Sequence, residues 1–204
     1  MNATKNVSAV LAALGLSLIL FSCVKQEESV ESPNGSEFLD GTDQWKIEGD
    51  AQGGETLDPF YSPIEGLDNS GYVYATDDVT GGVWYFVAPS KFRGNKSAYF
   101  NGTMEFWLIQ KSALSNQFYD DDIIIEGGAN GKLIYSHSSY PGTSWTFYQI
   151  VLNSSDNWLD ENGNKATDAK IQSVLSGISK LSIRGEFETG SDTGGLDSFA
   201  FEAQ

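Results

Sequence analysis

Cysteine and histidine each occur once in the 204 residues. A lone Cys23 excludes a disulfide framework and a thiolate zinc centre, since both need several cysteines. The lone His137 sits in the loop-like stretch "SHSSYPG" and reads as an ordinary exposed residue. Ser136 and Ser138 flank it, but neighbours in sequence do not make a catalytic dyad, which needs a base oriented by a third group. Basic residues are also scarce: 12 Lys plus Arg stand against 28 acids, a formal net charge of −16. Phosphate contacts need a basic patch, so a nucleic-acid partner is excluded, as is a basic membrane-binding face. Such an acidic field favours a cation such as calcium.

What is present is glycine (22 residues) and aromatics (13%), with only 20% charged residues. This composition suits an all-β domain with many turns rather than a disordered chain. The N-terminus reads as an address. A short segment carrying Lys5 precedes an apolar run from Val7 to Phe21, too short for a membrane span and right for a signal peptide. It ends in Leu20-Phe21-Ser22-Cys23, which resembles a bacterial lipobox. That resemblance implies cleavage after residue 22, acylation of Cys23 and a lipid anchor as the only membrane contact. The expected place is the cell envelope, on the outer membrane, facing either the periplasm or the outside. Residues 23–36 are polar, carry Pro33 and Gly35, and are expected to form a flexible tether; residues 37–204 are expected to form one domain.

From Glu37 onward the pattern is strand, turn, strand. "GYVYATDD" (71–78) is rich in β-formers and stops at acids, and "GGVWYFVAP" (81–89) stops at Pro89. "GTMEFWLIQ" (102–110) alternates, with Met104, Phe106 and Leu108 on one face. "DDIIIEGG" (121–128) and "GKLIYS" (131–136) flank a hairpin signal, and "SWTFYQIVLN" (144–153) is long and aromatic. One helix is expected near 167–178: Thr167 can cap it, Asp168 suits its first turn, and Ile171, Val174, Leu175 and Ile178 recur at helical spacing. Period two returns from Lys180, and "LDSFAFEA" (196–203) closes the pattern. About eight strands with one late helix predict an all-β, jelly-roll-like sandwich.

The blocks "YATDDVTGGVWYFVAPSKFRG", "SNQFYDDDIIIEGG", "YPGTSWTFYQIVL" and "LSIRGEF…GSDTGGLDSF" together resemble the laminin B module, also called laminin domain IV type A, in a bacterial form. The likeness runs from about Phe38 to Phe199. It implies a jelly-roll sandwich akin to galactose-binding-like and carbohydrate-binding modules, and a non-catalytic role. The cysteine-rich repeats that surround the module in animal matrix chains are absent. The resemblance therefore points to a binding or adhesion module for glycan or an extracellular protein, with a structural envelope protein as the alternative and a glycan hydrolase behind both.

Three acids stand out. Asp197 has the parity of Phe199 and Phe201, and Asp40 that of Phe38, so both are expected on core-facing sides of strands. A buried, unpaired carboxylate must pair, protonate or bind a metal. Sandwiches of this type often hold a structural calcium where first and last strands meet. Asp40 and Asp197, with Asp43 as a helper, match that arrangement by position. The same acids also read as turn residues beside glycines. Glu186 and Glu188 share a face with Arg184 and read as a surface charge ladder rather than a glycosidase pair. Among aromatics that could stack on sugar, Tyr119, Tyr140 and Trp158 are the ones expected in loops.

Overall fold

A computed structural model describes residues 33–54, 56–78, 81–112 and 115–204. The expected signal peptide, the lipobox-like motif with Cys23 and most of the expected tether lie outside the described residues.

Twelve strands and one α-helix follow in chain order: β1 (Gly35–Ser36), β2 (Lys46–Glu48), β3 (Phe60–Ser62), β4 (Tyr72–Thr76), β5 (Tyr85–Val87), β6 (Thr103–Gln110), β7 (Ile123–Glu126), β8 (Lys132–Tyr135), β9 (Thr146–Val151), β10 (Leu159–Asp160), α1 (Asp168–Leu175), β11 (Lys180–Arg184) and β12 (Thr193–Glu202). They form two six-stranded antiparallel sheets. Sheet A runs β3-β4-β12-β6-β9, with β1 added to β12; sheet B runs β10-β8-β7-β11-β5-β2. Among the described residues the chain forms the expected all-β sandwich with a single α-helix. Gly35 and Ser36, placed in the tether by composition, are paired to Ala200 and Phe199 of the last long strand.

Both sheets turn alternate residues inward, so the core is the space between them. Met104, Phe106 and Leu108 of β6 are buried there, as are Ile123 and Ile125 of β7 and Leu181 and Ile183 of β11. Its aromatic centre is edge-on: Phe199 lies 4.6 Å from Phe92 and 5.2 Å from Trp45, both T-shaped, a geometry that places ring edges against ring faces. The helix forms as its sequence dictates. Thr167 accepts a hydrogen bond from the Lys170 N–H, Asp168 lies in the first turn, and Ile171, Val174 and Leu175 are its buried stripe.

The last strand departs from strict alternation. Asp197 pairs with Trp107, but the next registered pair is Ala200 with Glu105, a β-bulge in which Ser198 takes φ 48°. The extra residue resets the parity. Leu196 points into the core opposite Leu108, while Asp197 points to the outer face of sheet A; beyond the bulge Phe199 and Phe201 point inward again. Asp197 and Phe199 therefore do not share a face. Phe38 is not in a strand either: it has φ 49° and precedes a turn, so the parity argument for Asp40 lapses.

His137 is buried, contrary to the exposed loop expected for it. Its ring lies 3.9 Å from Tyr148 and 5.6 Å from Tyr135, and its backbone N–H donates to Asp122 Oδ2 at 2.6 Å. Burial pushes its pKa down to about 3, so the ring is neutral.

Candidate functional site

The three acids expected to gather around calcium do not form one cluster. Asp40 is exposed in its turn. Asp43 is ion-paired with Lys91 and accepts from the Ser36 hydroxyl at 2.5 Å. Asp197 is fully buried, but a loop folds over it. Its Oδ2 accepts from the Leu67 N–H at 2.7 Å and the Ser70 hydroxyl at 3.3 Å, and its Oδ1 from the Ser198 N–H at 2.7 Å. Burial pushes its pKa up to about 6, with those donors holding it back. Three donors thus occupy most of the carboxylate's lone-pair positions, and Asp197 staples the 66–70 loop to the sheet. Among the described residues no group of three or more His, Cys, Asp or Glu side chains could hold a metal ion.

The expected aromatic platform also falls apart. Trp158 is core, with its indole N–H donating to the Val151 carbonyl at 2.8 Å. Tyr140 is half-buried against Phe187. Only Tyr119, 68% exposed, stands in solvent as expected. The supposed charge ladder is buried as well: Arg184, Glu186 and Glu188 are all inside. The chain from Gln117 to Asp122 covers this end of β11. Arg184 pairs with Asp122 at 3.1 Å, donates to the Phe118 carbonyl at 3.0 Å and lies over the Phe118 and Phe187 rings.

Two features of the surface remain. The first is a strip of rings across the outer face of sheet A. Phe60 of edge strand β3 stands opposite Tyr74 of β4, 5.4 Å between centroids; Tyr74 is 5.5 Å from Tyr72, and Tyr72 is 5.3 Å from Trp145. Tyr72 and Tyr74 are two apart and so share the face. Gly195 of β12 lies beneath: a Cβ there would be 2.8 Å from Ile109 Cγ2 and 3.1 Å from the Tyr72 ring, so only glycine lets the ring lie down on the strand. Lys111 fixes Tyr72 from above, its ammonium 2.6 Å from the phenol oxygen and paired with Glu65. Phe60 is 47% exposed, and Tyr74 and Trp145 are partly so. Phe60 and Tyr74 were not singled out from sequence; the signal was the shared parity of Tyr72 and Tyr74.

The second is an acidic cleft of about 680 Å³ at one end of the sandwich, where the chain leaves β2, β4 and β11. Asp50 comes after β2, Asp77 and Asp78 after β4, Glu186 after β11, and Thr189–Ser191 lead into β12; Phe118 supplies an apolar wall. Asp50 Oδ2 accepts from the Gly82 N–H, and Asp78 Oδ1 from the Gly53 N–H at 2.9 Å. Behind them Asp192 accepts from the Trp84 indole at 3.4 Å and the Phe187 N–H at 3.1 Å. Burial, then the charges of Asp50, Asp192 and Asp77, push Glu186 up to about 8, and burial raises Asp192 to about 6. Glu188 takes no part: it is turned to the Ser115 N–H at 2.7 Å and does not line the cleft.

Several known proteins share this architecture. The L4b domain of human laminin alpha-2 is similar, with a TM-score of 0.62 at 14% identity, covering 78% of this chain and 92% of that one. A family 11 carbohydrate-binding module from Clostridium thermocellum, solved in complex with a β-1,3-1,4-mixed-linked tetrasaccharide, superposes with a TM-score of 0.51 at 16% identity, covering 83% and 95% of the two chains. An exo-β-agarase matches with a TM-score of 0.52 at 12% identity over 82% of this chain but only 24% of its own. No match is found among curated proteins. These likenesses establish the fold. Residues 85–203 match the Laminin B (Domain IV) family, more than half of the sequence, and the chain belongs to that family.

Proposed function

We propose that this protein is a non-catalytic, lipid-anchored envelope module that binds glycan through the ring strip of sheet A. The observation that carries the reading is the row Phe60–Tyr74–Tyr72–Trp145, in which Phe60, Tyr74 and Trp145 are partly exposed and the buried Tyr72 lies over Gly195 between them. Apolar sugar faces stack on such rings, and the adjacent Phe60 and Tyr74, with Trp145 beyond the buried Tyr72, offer contact along an extended chain. One sandwich of this fold is a carbohydrate-binding module seen with a tetrasaccharide. The lipid anchor rests on the Leu20–Cys23 motif.

The test is affinity electrophoresis and calorimetry against a panel of soluble β-glucans, galactans and N-acetylated glycans. The expected result is saturable binding to at least one, weakened about two- to tenfold by Phe60→Ala or Tyr74→Ala, in line with about 0.5–1.5 kcal/mol for an aromatic contact. No binding to any member, or release of reducing sugar from one, overturns the reading. Growth with radiolabelled palmitate tests the anchor: label should be lost in Cys23→Ala.

A further inference from the structure

The acidic cleft is a site of another kind, on different residues from the ring strip. We propose that it binds the ammonium group of a small organic ligand, held between Asp50 and Glu186. Both side chains are buried, 9% and 4% exposed, both line the cleft, and each has one oxygen without a hydrogen-bond partner, Asp50 Oδ1 and Glu186 Oε2. A buried carboxylate oxygen left without a donor is costly, and native proteins rarely leave one unless a ligand supplies the donor. None of the described residues that line the cleft is basic.

The form of the cleft decides what sort of cation. Calcium draws six to eight oxygens to about 2.3–2.6 Å. No three acidic side chains among the described residues converge that closely, and 680 Å³ far exceeds a bare ion. An ammonium group needs only acceptors at about 2.7–2.9 Å and can reach carboxylates set more widely apart. The volume is that of an ordinary small-molecule pocket. Phe118 provides the apolar wall that the carbon skeleton of an amine would cover.

Binding is linked to a proton. Glu186 faces Asp50 after β2, Asp77 after β4 and Asp192 before β12, and the Trp84 backbone N–H donates to it. With its pKa raised to about 8 it holds a proton in the empty cleft at neutral pH. An arriving ammonium favours the ionised form, so the proton leaves as the ligand enters.

The experiment is titration calorimetry of the purified full-length chain with D-glucosamine, lysine amide and N-acetylglucosamine. It is run near pH 6.5, where the amines are charged, in buffers of differing ionisation enthalpy. Glucosamine and lysine amide binding together shows that the ammonium suffices; either one binding alone supports the proposal and names the source as sugar or amino acid. In each case close to one proton should be released per ligand. Glu186→Gln should weaken binding at least about tenfold and abolish the release, as expected for losing one charge-assisted hydrogen bond; Asp50→Asn serves if that variant folds poorly. N-acetylglucosamine binding as well as glucosamine, no binding of either amine, or amine binding without proton release overturns the proposal. Every titration is repeated on Phe60→Ala, and sugar binding lost in that variant is assigned to the ring strip and not counted for or against the cleft.

Discussion

Asp122→Ala should be among the most damaging single changes in the molecule. Asp122 and Arg184 are both fully buried and 3.1 Å apart. Burial raises the Asp122 carboxyl, outweighing the lowering by the His137 N–H and Arg184. Desolvation therefore exceeds attraction, and the pair as a whole adds little stability. Removing one member is another matter. A guanidinium that cannot reach water would be left uncompensated, at a cost of about 3–5 kcal/mol. The His137 N–H loses its acceptor too, adding to the loss. For a domain of this size about 2–4 °C accompanies each kcal/mol, so the melting midpoint should fall by about 10 °C or more. Replacing both residues, Asp122→Ala with Arg184→Met, removes the stranded charge and should recover most of that loss, leaving about 1–3 kcal/mol for the unpaired N–H. Urea unfolding of the wild type, the single and the double variant measures each quantity. A single variant within about 1 kcal/mol of wild type, or a double variant less stable than the single, would refute the reasoning.

His137 predicts acid lability. Its folded pKa of about 3 lies below the unfolded value, so the unfolded chain takes up the proton first and stability falls as pH drops from about 6.5 toward 3; melting scans should show this slope flattened in His137→Phe. Glu186 acts in the opposite sense. With a folded pKa near 8 it contributes fully only below the ordinary carboxylate range, and that contribution is lost as pH rises toward 8. Glu186→Gln should therefore melt higher than wild type at alkaline pH, with the gap closing on acidification; an unchanged gap would mean that the carboxyl is not protonated in the cleft.

Local pattern made the scaffold legible where one face of a strand was simply apolar. Met104, Phe106 and Leu108 fell inward as their alternation requires, and Thr167 capped the helix. The site was harder to read because its determinants are not periodic. A single residue with positive φ, Ser198, undid the parity that had joined Asp197 to Phe199. Glu186 and Arg184 looked solvated because nothing in β11 announces that residues 117–122 will lie across them. The cleft is assembled from Asp50, Asp77 and Asp78, Phe118 and the stretch from Glu186 to Ser191, far apart in the chain, so no local pattern joins them. Trp158 illustrates the reverse error: its polar surroundings "DNWLDENG" suggested a loop, yet its ring fills the core.

Strand β12 has a bearing on how the molecule meets its surroundings. Its far half is zipped to Gly35–Ser36, where the described domain begins, while its first residues follow directly on the cleft wall at Thr189–Ser191. Six residues of extended chain separate Thr193 from Phe199, about 20 Å at 3.3 Å per residue. A sandwich moored through the chain ahead of Gly35 would hold its acidic mouth at the opposite pole, directed away from the mooring and toward whatever approaches.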